Sequence, residues 1–403
     1  MTQVILKKGR ERSVIQRHPW IFSGAVQKSD RLRPGQPVDV ISAGGRLLGR
    51  GFGSPDSNIV VRVVTFGEEP LTDNVLRARL DDALTWRTAH PRLKSRDAMR
   101  VVNAEGDGIP GFIADRFGDT LVFQSLFAGL EPKKSLLVGH LVEKLGPARV
   151  VERSDDDSRD HEGLPKVAGL WRGEAPEGPV FFEESGLTIG ADVMAGHKTG
   201  YYLDQCYNRS RIVDYAPGRT VLNAFSYVGT FGHLAASAGA TSVVQLDGSA
   251  DALALSQKIA AANQLSGIEH EQGDAFARLR EYQTEKRRFE LIVLDPPKFA
   301  AGKGHLEKAA RGYKDINRLA LQLLEPGGVL FTFSCSGAMD PAFFQKVLFQ
   351  ASVEAGRDVE ILEHLNQDVD HPFRLGFPQG EYLKGLVLRV TRTQTNQREV
   401  SGP

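Results

Sequence analysis

The sequence predicts an α/β protein: an open, mostly parallel sheet in its C-terminal half, preceded by a small β-rich domain and an α+β domain. Three observations carry this prediction. From residue 220 onward, apolar runs of strand length alternate with runs at helical spacing, the pattern of strands joined by crossover helices. Residues 2–66 consist instead of short β-rich runs cut by Gly and Pro. At 403 residues the chain exceeds what one hydrophobic core usually organises. The expected division is 1–70, 71–190, 191–392 and a polar tail, 393–403.

In the first domain, VILKK, WIFSGAV, PVDVISAGGRLLGRGF and NIVVRVVTF predict a barrel or meander. The formal net charge of the chain is zero, but residues 1–66 hold eleven Lys and Arg against four acids. Such a local excess suits phosphate contact, although a solvated basic face would read the same way. In the second domain, VLRARLDDALTWRTAH and KKSLLVGHLVEKLG have helical spacing. VVNAEGDGIPGFIADRFGDTLVFQSLF reads as a turn-rich hairpin, and PVFFEESGLTIGADV as strands.

In the third domain the expected strands are 220–224, 242–247, 290–295 and 328–334. HLAASAGA, ADALALSQKIAAANQL and INRLALQLLEPGG supply helices between them. Asp340 is an N-cap with Pro341 at the first helical position, opening a helix that stops at Gly356. VEILEHL and YLKGLVLRV pair as an antiparallel edge, and residues 391–403 read as disordered. No apolar run approaches the roughly 18 residues of a membrane span, and MTQVILKKGRERS lacks a signal-peptide core. A cytoplasmic protein is expected. Cys206 and Cys335 make no disulfide framework, and the histidines do not join them at metal-ligand spacing, so no structural metal is expected.

In an open α/β sheet a ligand sits outside the carboxyl ends of the strands. The first strand leads from Asn223 through Phe225 and Ser226 to Gly229, without GxGxxG. A nucleoside lacking a pyrophosphate therefore fits better than NAD, with backbone near Phe225 to Gly229 approaching a small zwitterion. Asp247, at the second strand end, can take both ribose hydroxyls, while Asp274 with Ala275 and Phe276 can meet an adenine. Asp295 opens LDPPKF at a further strand end, and Gln205 covers the cofactor's amino-acid end beside Lys198, Tyr201 and Asp204. Any one of these acids alone is equally a turn former or helix cap. The ordered set describes S-adenosylmethionine in a Rossmann-like methyltransferase.

NAFSYVGTFG, LDPPKFA and FSCSG, preceded by KTGYYLDQCYNR, resemble the bacterial large-subunit 23S rRNA cytosine-5 methyltransferases of type I. The likeness spans nearly the whole chain. RHPWIFSGAV resembles the start of their PUA-type RNA-binding domain; VVNAEGDGIPGFIADRFGD and ERSDDDSRDHEGL resemble their central domain, and FPQGEYLKGL their C-terminal end. The resemblance implies a β-barrel PUA domain, a central α+β domain and a class I methyltransferase domain that acts on RNA. It also implies a homodimer.

Carbon 5 of cytosine attacks a sulfonium methyl only after a nucleophile has added to C6, so the chemistry asks for a thiolate beside the cofactor. On position alone Cys335 reads as a core thiol at a strand end. With the resemblance it becomes the attacking nucleophile, Asp295 the group that holds the N3 and amine edge, and Lys298 a source of positive field. Two-cysteine relatives place a second cysteine where this chain has Lys298, which leaves the C5 proton to a water or hydroxide. Cys206 reads as incidental. Arg17, Trp20 and Arg33 are the expected RNA contacts of the first domain, with Trp20 equally suited to a core. Two other functions remain open. Asp295-Pro296-Pro297 also resembles the amine-gripping motif of N-methyltransferases, which need no cysteine, and a non-catalytic ribosome-assembly factor would retain the fold.

Overall fold

The computed structural model describes residues 2–299 and 306–393. Among these, contacts gather into two units that interleave along the chain. The first holds everything up to Glu184 together with Ala191–Asp204 and Val369–Gly380; the second holds Ser185–Gly190, Gln205–Asp368 and the segment from Glu381 onward.

The first unit contains a six-stranded sheet in the order Trp20–Phe22, Ile59–Phe66, Leu47–Gly53, Pro37–Ile41, Thr2–Leu6, Val26–Ser29. Alternation along these strands buries Val4, Leu6, Val38, Val40, Val61 and Val63 on one face. A second sheet runs Val167–Arg172, Arg149–Ser154, Thr120–Ser125, Phe112–Phe117, Ala98–Asn103. Helices Asp73–Ala89 and Lys134–Leu145 lay Leu76, Leu80, Leu137 and Leu141 into its core, which Phe52 and Val64 of the first sheet share. The shared core is the physical reason that two stretches with different sequence patterns form one compact body.

The second unit is a seven-stranded sheet built from β1 (Thr220–Ala224), β2 (Ser242–Asp247), β3 (Ile268–Gln272), β4 (Phe289–Leu294), β5 (Leu324–Ser334), β6 (Arg357–Asn366) and β7 (Lys384–Thr393). Its order is β3-β2-β1-β4-β5-β7-β6, with β1 to β5 parallel and β7 antiparallel to both neighbours. The crossovers are α1 (Thr230–Ser237), α2 (Ala250–Ala262), α3 (Ala275–Thr284), α4 (Leu306–Leu323) and α5 (Pro341–Ala355). Helices α3, α4 and α5 pack side by side, as do α1 and α2. The cap at Asp340 and the stop at left-handed Gly356 form as the sequence predicts.

Three expectations need correction. The sheet has a further strand, β3, whose sequence IEHEQ alternates among polar residues because it is an exposed edge. The helix α3 also escapes a reading by periodicity, since Leu279 and Tyr282 are its only large fully buried side chains. Thr391–Thr393 continue β7 and are not part of a disordered tail; the rest of that tail lies outside the described residues.

Candidate functional site

Strand β1 is hydrogen-bonded to β2 on one side and β4 on the other, so the sheet's order reverses there. Ala224, the last residue of β1, stands opposite Leu246 and Leu294. The loops that follow β1, β2 and β4 therefore leave the sheet side by side.

The loop after β1 turns sharply. Phe225 and Tyr227 have φ of 58° and 51°, a left-handed conformation that costs a residue with a Cβ about 1–3 kcal/mol. Hydrogen bonds hold it in place. The Ser226 N–H donates to the Leu246 carbonyl at 3.0 Å, and the Tyr227 N–H to Asp247 Oδ2 at 2.7 Å. Asp247 Oδ1 accepts from the Ser249 N–H at 2.8 Å, so this carboxylate ties two loops together and keeps lone pairs on both oxygens. Asn223 Nδ2 donates to Gln245 Oε1, and Gln245 Nε2 to the Gly229 carbonyl, each at 2.7 Å. Gly229 has φ of 82°, and a Cβ on it would lie 2.5 Å from Gln245 Nε2 and Ser256 Oγ. A Cβ on Gly232 would meet Gln245 at 2.4 Å. Both glycines are therefore required by packing against a neighbouring side chain.

Among the described residues, buried Gln205 Nε2, Asn223 Oδ1 and Ser226 Oγ have no hydrogen-bond partner. Orphaned buried polar atoms are costly, and three of them in residues assigned to a polar ligand fit a donor and acceptor set for S-adenosylmethionine. Gln205 is 3 % exposed and accepts from Asn208 Nδ2 at 2.6 Å. It precedes the short helix Cys206–Ser210, which packs on α1. Cys206 is buried. Lys198, Tyr201 and Asp204 belong to the first unit, where Lys198 lies over the Tyr202 ring and Tyr201 packs on Phe182.

Asp274 caps α3, with Oδ1 accepting the Ala277 N–H at 2.8 Å, and Ala275 behind it is buried. Phe276 meets Phe225 at a centroid distance of 6.3 Å and Phe299 at 5.7 Å; Phe299 meets Tyr313 at 4.7 Å. A line of rings thus runs from the end of β1 to α4. Its last member, Tyr313, reaches Ser336 Oγ with its hydroxyl at 3.3 Å.

Cys335 and Asp295 each stand one residue beyond a strand end, on β5 and β4, and both are half-buried. Since Leu294 pairs with Thr332, the two residues leave adjacent strands of the sheet. Lys298 is exposed. The residue that sequence reasoning missed is Lys384. It opens β7 directly opposite Ser334, is 5 % exposed, and donates from Nζ to the carbonyls of Ser336 and Tyr382, each at 2.7 Å. Burial pushes its pKa down to about 8, while Cys335, Glu381 and Asp340 oppose that fall and Lys298 adds to it. The signal was present in FPQGEYLKGLVLRV, where a lysine stands immediately before the apolar run GLVL.

In the first unit, nine of the eleven basic residues before position 66 are exposed, Arg17 and Arg33 among them. Arg50 and Arg62 are the exceptions; they pair with Asp39 and with Glu162. Trp20 is half-buried, with Nε1 donating to Glu105 Oε1 at 2.7 Å and Phe377 packed on its ring at 4.7 Å. Trp20 lines a cavity of about 310 Å³ together with Arg10, Ser13, His18 and Phe22. Among the described residues, no cluster of His, Cys, Asp and Glu could hold a metal ion, and no helix is long and apolar enough to cross a membrane.

A sheet of this order, with a polar cradle at its switch point and no pyrophosphate-binding glycine motif, defines a class I methyltransferase dependent on S-adenosylmethionine. Comparison with known proteins agrees: residues 112–382 match the S-adenosylmethionine-dependent methyltransferase family, and residues 4–66 a PUA-like domain. The chain is 46% identical over 393 residues to ribosomal RNA large subunit methyltransferase I of Shewanella denitrificans, covering 96% of this chain and 99% of that one. The same enzyme of Shewanella amazonensis is 48% identical over the same coverage. A methyltransferase of Streptococcus mutans, 20% identical, shares the fold with a TM-score of 0.84 over 97% of this chain and 100% of its own. The chain belongs to the ribosomal RNA large subunit methyltransferase I family.

Proposed function

We propose that this enzyme methylates carbon 5 of a cytosine in large-subunit ribosomal RNA through a thiolate adduct of Cys335. The family supports ribosomal RNA as the substrate class, and the cytoplasm as the place where it is met. One observation carries the finer reading: a half-exposed cysteine stands at the carboxyl end of β5, the end of the sheet from which the loops after β1, β2 and β4 also leave. Residues 1–70, 71–190 and 191–392 act in this proposal as RNA-holding, linking and catalytic parts.

S-adenosylmethionine, when bound, supplies an electrophilic methyl group on a sulfonium. Asp247 would hold its ribose, Asp274 and Ala275 its adenine, and Gln205, Asn223, Phe225, Ser226 and Gly229 the remainder. Cys335 then bonds through sulfur to C6 of the cytosine, and the displaced electron pair makes C5 nucleophilic enough to take the methyl. Asp295, on the next strand, accepts from the exocyclic amine and keeps the ring in register. Transfer of the C5 proton to a water or hydroxide restores the C5–C6 double bond and expels the thiolate. An N-methyltransferase reading would need a free ring after Asp-Pro-Pro, whereas Phe299 is packed between Phe276 and Tyr313.

The target base must leave its stack to reach Cys335, so a cytosine in a loop or an unfolded segment is preferred. Arg17, Arg33 and Lys298 would neutralise phosphates. The Trp20 cavity offers an aromatic wall beside Arg10, suited to an unstacked base. Mass spectrometry of 23S rRNA from cells lacking the protein tests the reading. Wild-type protein should restore one 5-methylcytidine and Cys335→Ala should not; restoration by the alanine variant would reject the thiolate mechanism.

A further inference from the structure

Lys384 has the position and the partners to act on Cys335. In the antiparallel pairing of β5 with β7, Lys384 stands opposite Ser334, the residue immediately before the cysteine. Its Nζ donates to the Ser336 carbonyl, the residue immediately after. The Ser336 carbonyl also accepts the Met339 N–H at 3.0 Å, so the same bond fixes the turn that carries the thiol. A second bond, to the Tyr382 carbonyl, fixes the ammonium from the segment just before its own strand. The side chain is almost fully buried, and both of these acceptors are neutral carbonyls. Neutral carbonyls hold the ammonium without neutralising it, and a thiolate adds to the negative charge that Glu381 and Asp340 supply.

We propose that Lys384 is a positioning residue that keeps Cys335 in its thiolate form and fixes the turn from which the sulfur attacks. The proposal rests on the reading of Cys335 as nucleophile and assigns to Lys384 the field that the sequence alone offered to Lys298. Lys298 is exposed, where water screens its charge. The other groups that face the pair are Glu381, Asp340 and the Tyr313 hydroxyl. The two carboxylates favour the ammonium. Tyr313 is buried and feels the cysteine's charge, and both effects hold its hydroxyl above the usual tyrosine range, so it stays neutral and cannot replace the cation. The lowered pKa of Lys384, about 8, still leaves it mostly protonated at neutral pH. An opposite charge within about 4–6 Å lowers a thiol's pKa by about 1–3.

The test is the pH dependence of Cys335 alkylation by iodoacetamide in the full-length protein, read by mass spectrometry of the Cys335 peptide. Lys384→Gln retains an N–H donor for a carbonyl and removes the charge, while Lys384→Arg retains the charge. The expected result is a reactivity midpoint that rises by about one pH unit or more in the glutamine variant and returns toward the wild-type value in the arginine variant. Calorimetry with S-adenosylmethionine monitors folding, and affinity within about threefold of wild type is expected for both variants. If the glutamine variant does not bind, Lys384→Met is measured in its place with the same expected rise. Equal midpoints in wild-type and charge-free protein would overturn the proposal. Failure of the underlying reading looks different: Cys335→Ala would still form 5-methylcytidine, whatever the thiol titration shows.

Discussion

Ser334 and Lys384 are direct partners across the antiparallel pair of β5 and β7, and this register places a buried ammonium against the turn that carries Cys335. Without that cross-strand pairing the two residues, 50 apart in sequence, would have no reason to be considered together. The same logic of pairing runs through the cofactor end of the sheet, where side chains tie neighbouring strand ends before any ligand arrives.

Asp247 is the clearest case. It accepts backbone N–H groups from both the β1 and the β2 loops, so Asp247→Ala should remove two charge-assisted hydrogen bonds as well as the proposed ribose contact. We expect a loss of about 2–4 kcal/mol in urea unfolding and at least about tenfold weaker binding of S-adenosylmethionine by calorimetry. Unaltered affinity would separate Asp247 from the ligand and leave it a loop tie only.

Gly229→Ala should be costly with no ligand present. The new Cβ meets Gln245 and Ser256 at 2.5 Å on a residue with φ of 82°. Strain and displacement of the buried Asn223–Gln245 pair together should cost about 2–4 kcal/mol. Thermal unfolding of the apo protein measures this, and a normal midpoint would show that α1 can shift to accept the methyl group.

Acid should weaken the second unit through His233. Its imidazole on α1 and that of His270 on β3 share the Ser256 hydroxyl, at 3.1 and 3.0 Å. Burial, and secondarily the charge of His270, push the pKa of His233 down to about 4. The folded state therefore binds this proton less well than the unfolded chain. Its neutral-form stability is complete above pH 6.5 and is lost progressively between about 6.5 and 4, by roughly 3 kcal/mol. Urea unfolding across that range, compared with His233→Gln, should give a flatter profile for the variant.

RNA affinity should depend on salt through the exposed cations of the first unit. Replacing Arg17 or Arg33 with alanine should weaken binding equally for related and unrelated RNA and reduce the slope of log K against log salt by about 0.7–0.9 for each phosphate no longer neutralised. Filter binding at several salt concentrations reads this directly, and an unchanged slope would remove that arginine from the interface.

Much of the second unit is legible in the sequence because its information is local. Strands β1 and β2 follow from short apolar runs, and α5 from an Asp-Pro cap and a terminal glycine, since these depend on neighbours in the chain. Strand β3 and helix α3 are illegible for the opposite reason. Each buries little, and their place is set by pairing with β2 and packing on α4.

For the site, the sequence by itself determined the ordered set of strand-end residues, from Asn223 through Asp247 and Asp295 to Cys335, and with it the class of cofactor. Only the tertiary structure decided how those residues are held. It turned Gly229 into a packing requirement, divided Asp247 between two loops and brought Lys384 to the turn that bears the thiol. The physical reason is that hydrogen bonds across a sheet and charges in a buried turn depend on register between distant segments. Local pattern does not encode that register; the burial of each strand's apolar face fixes it.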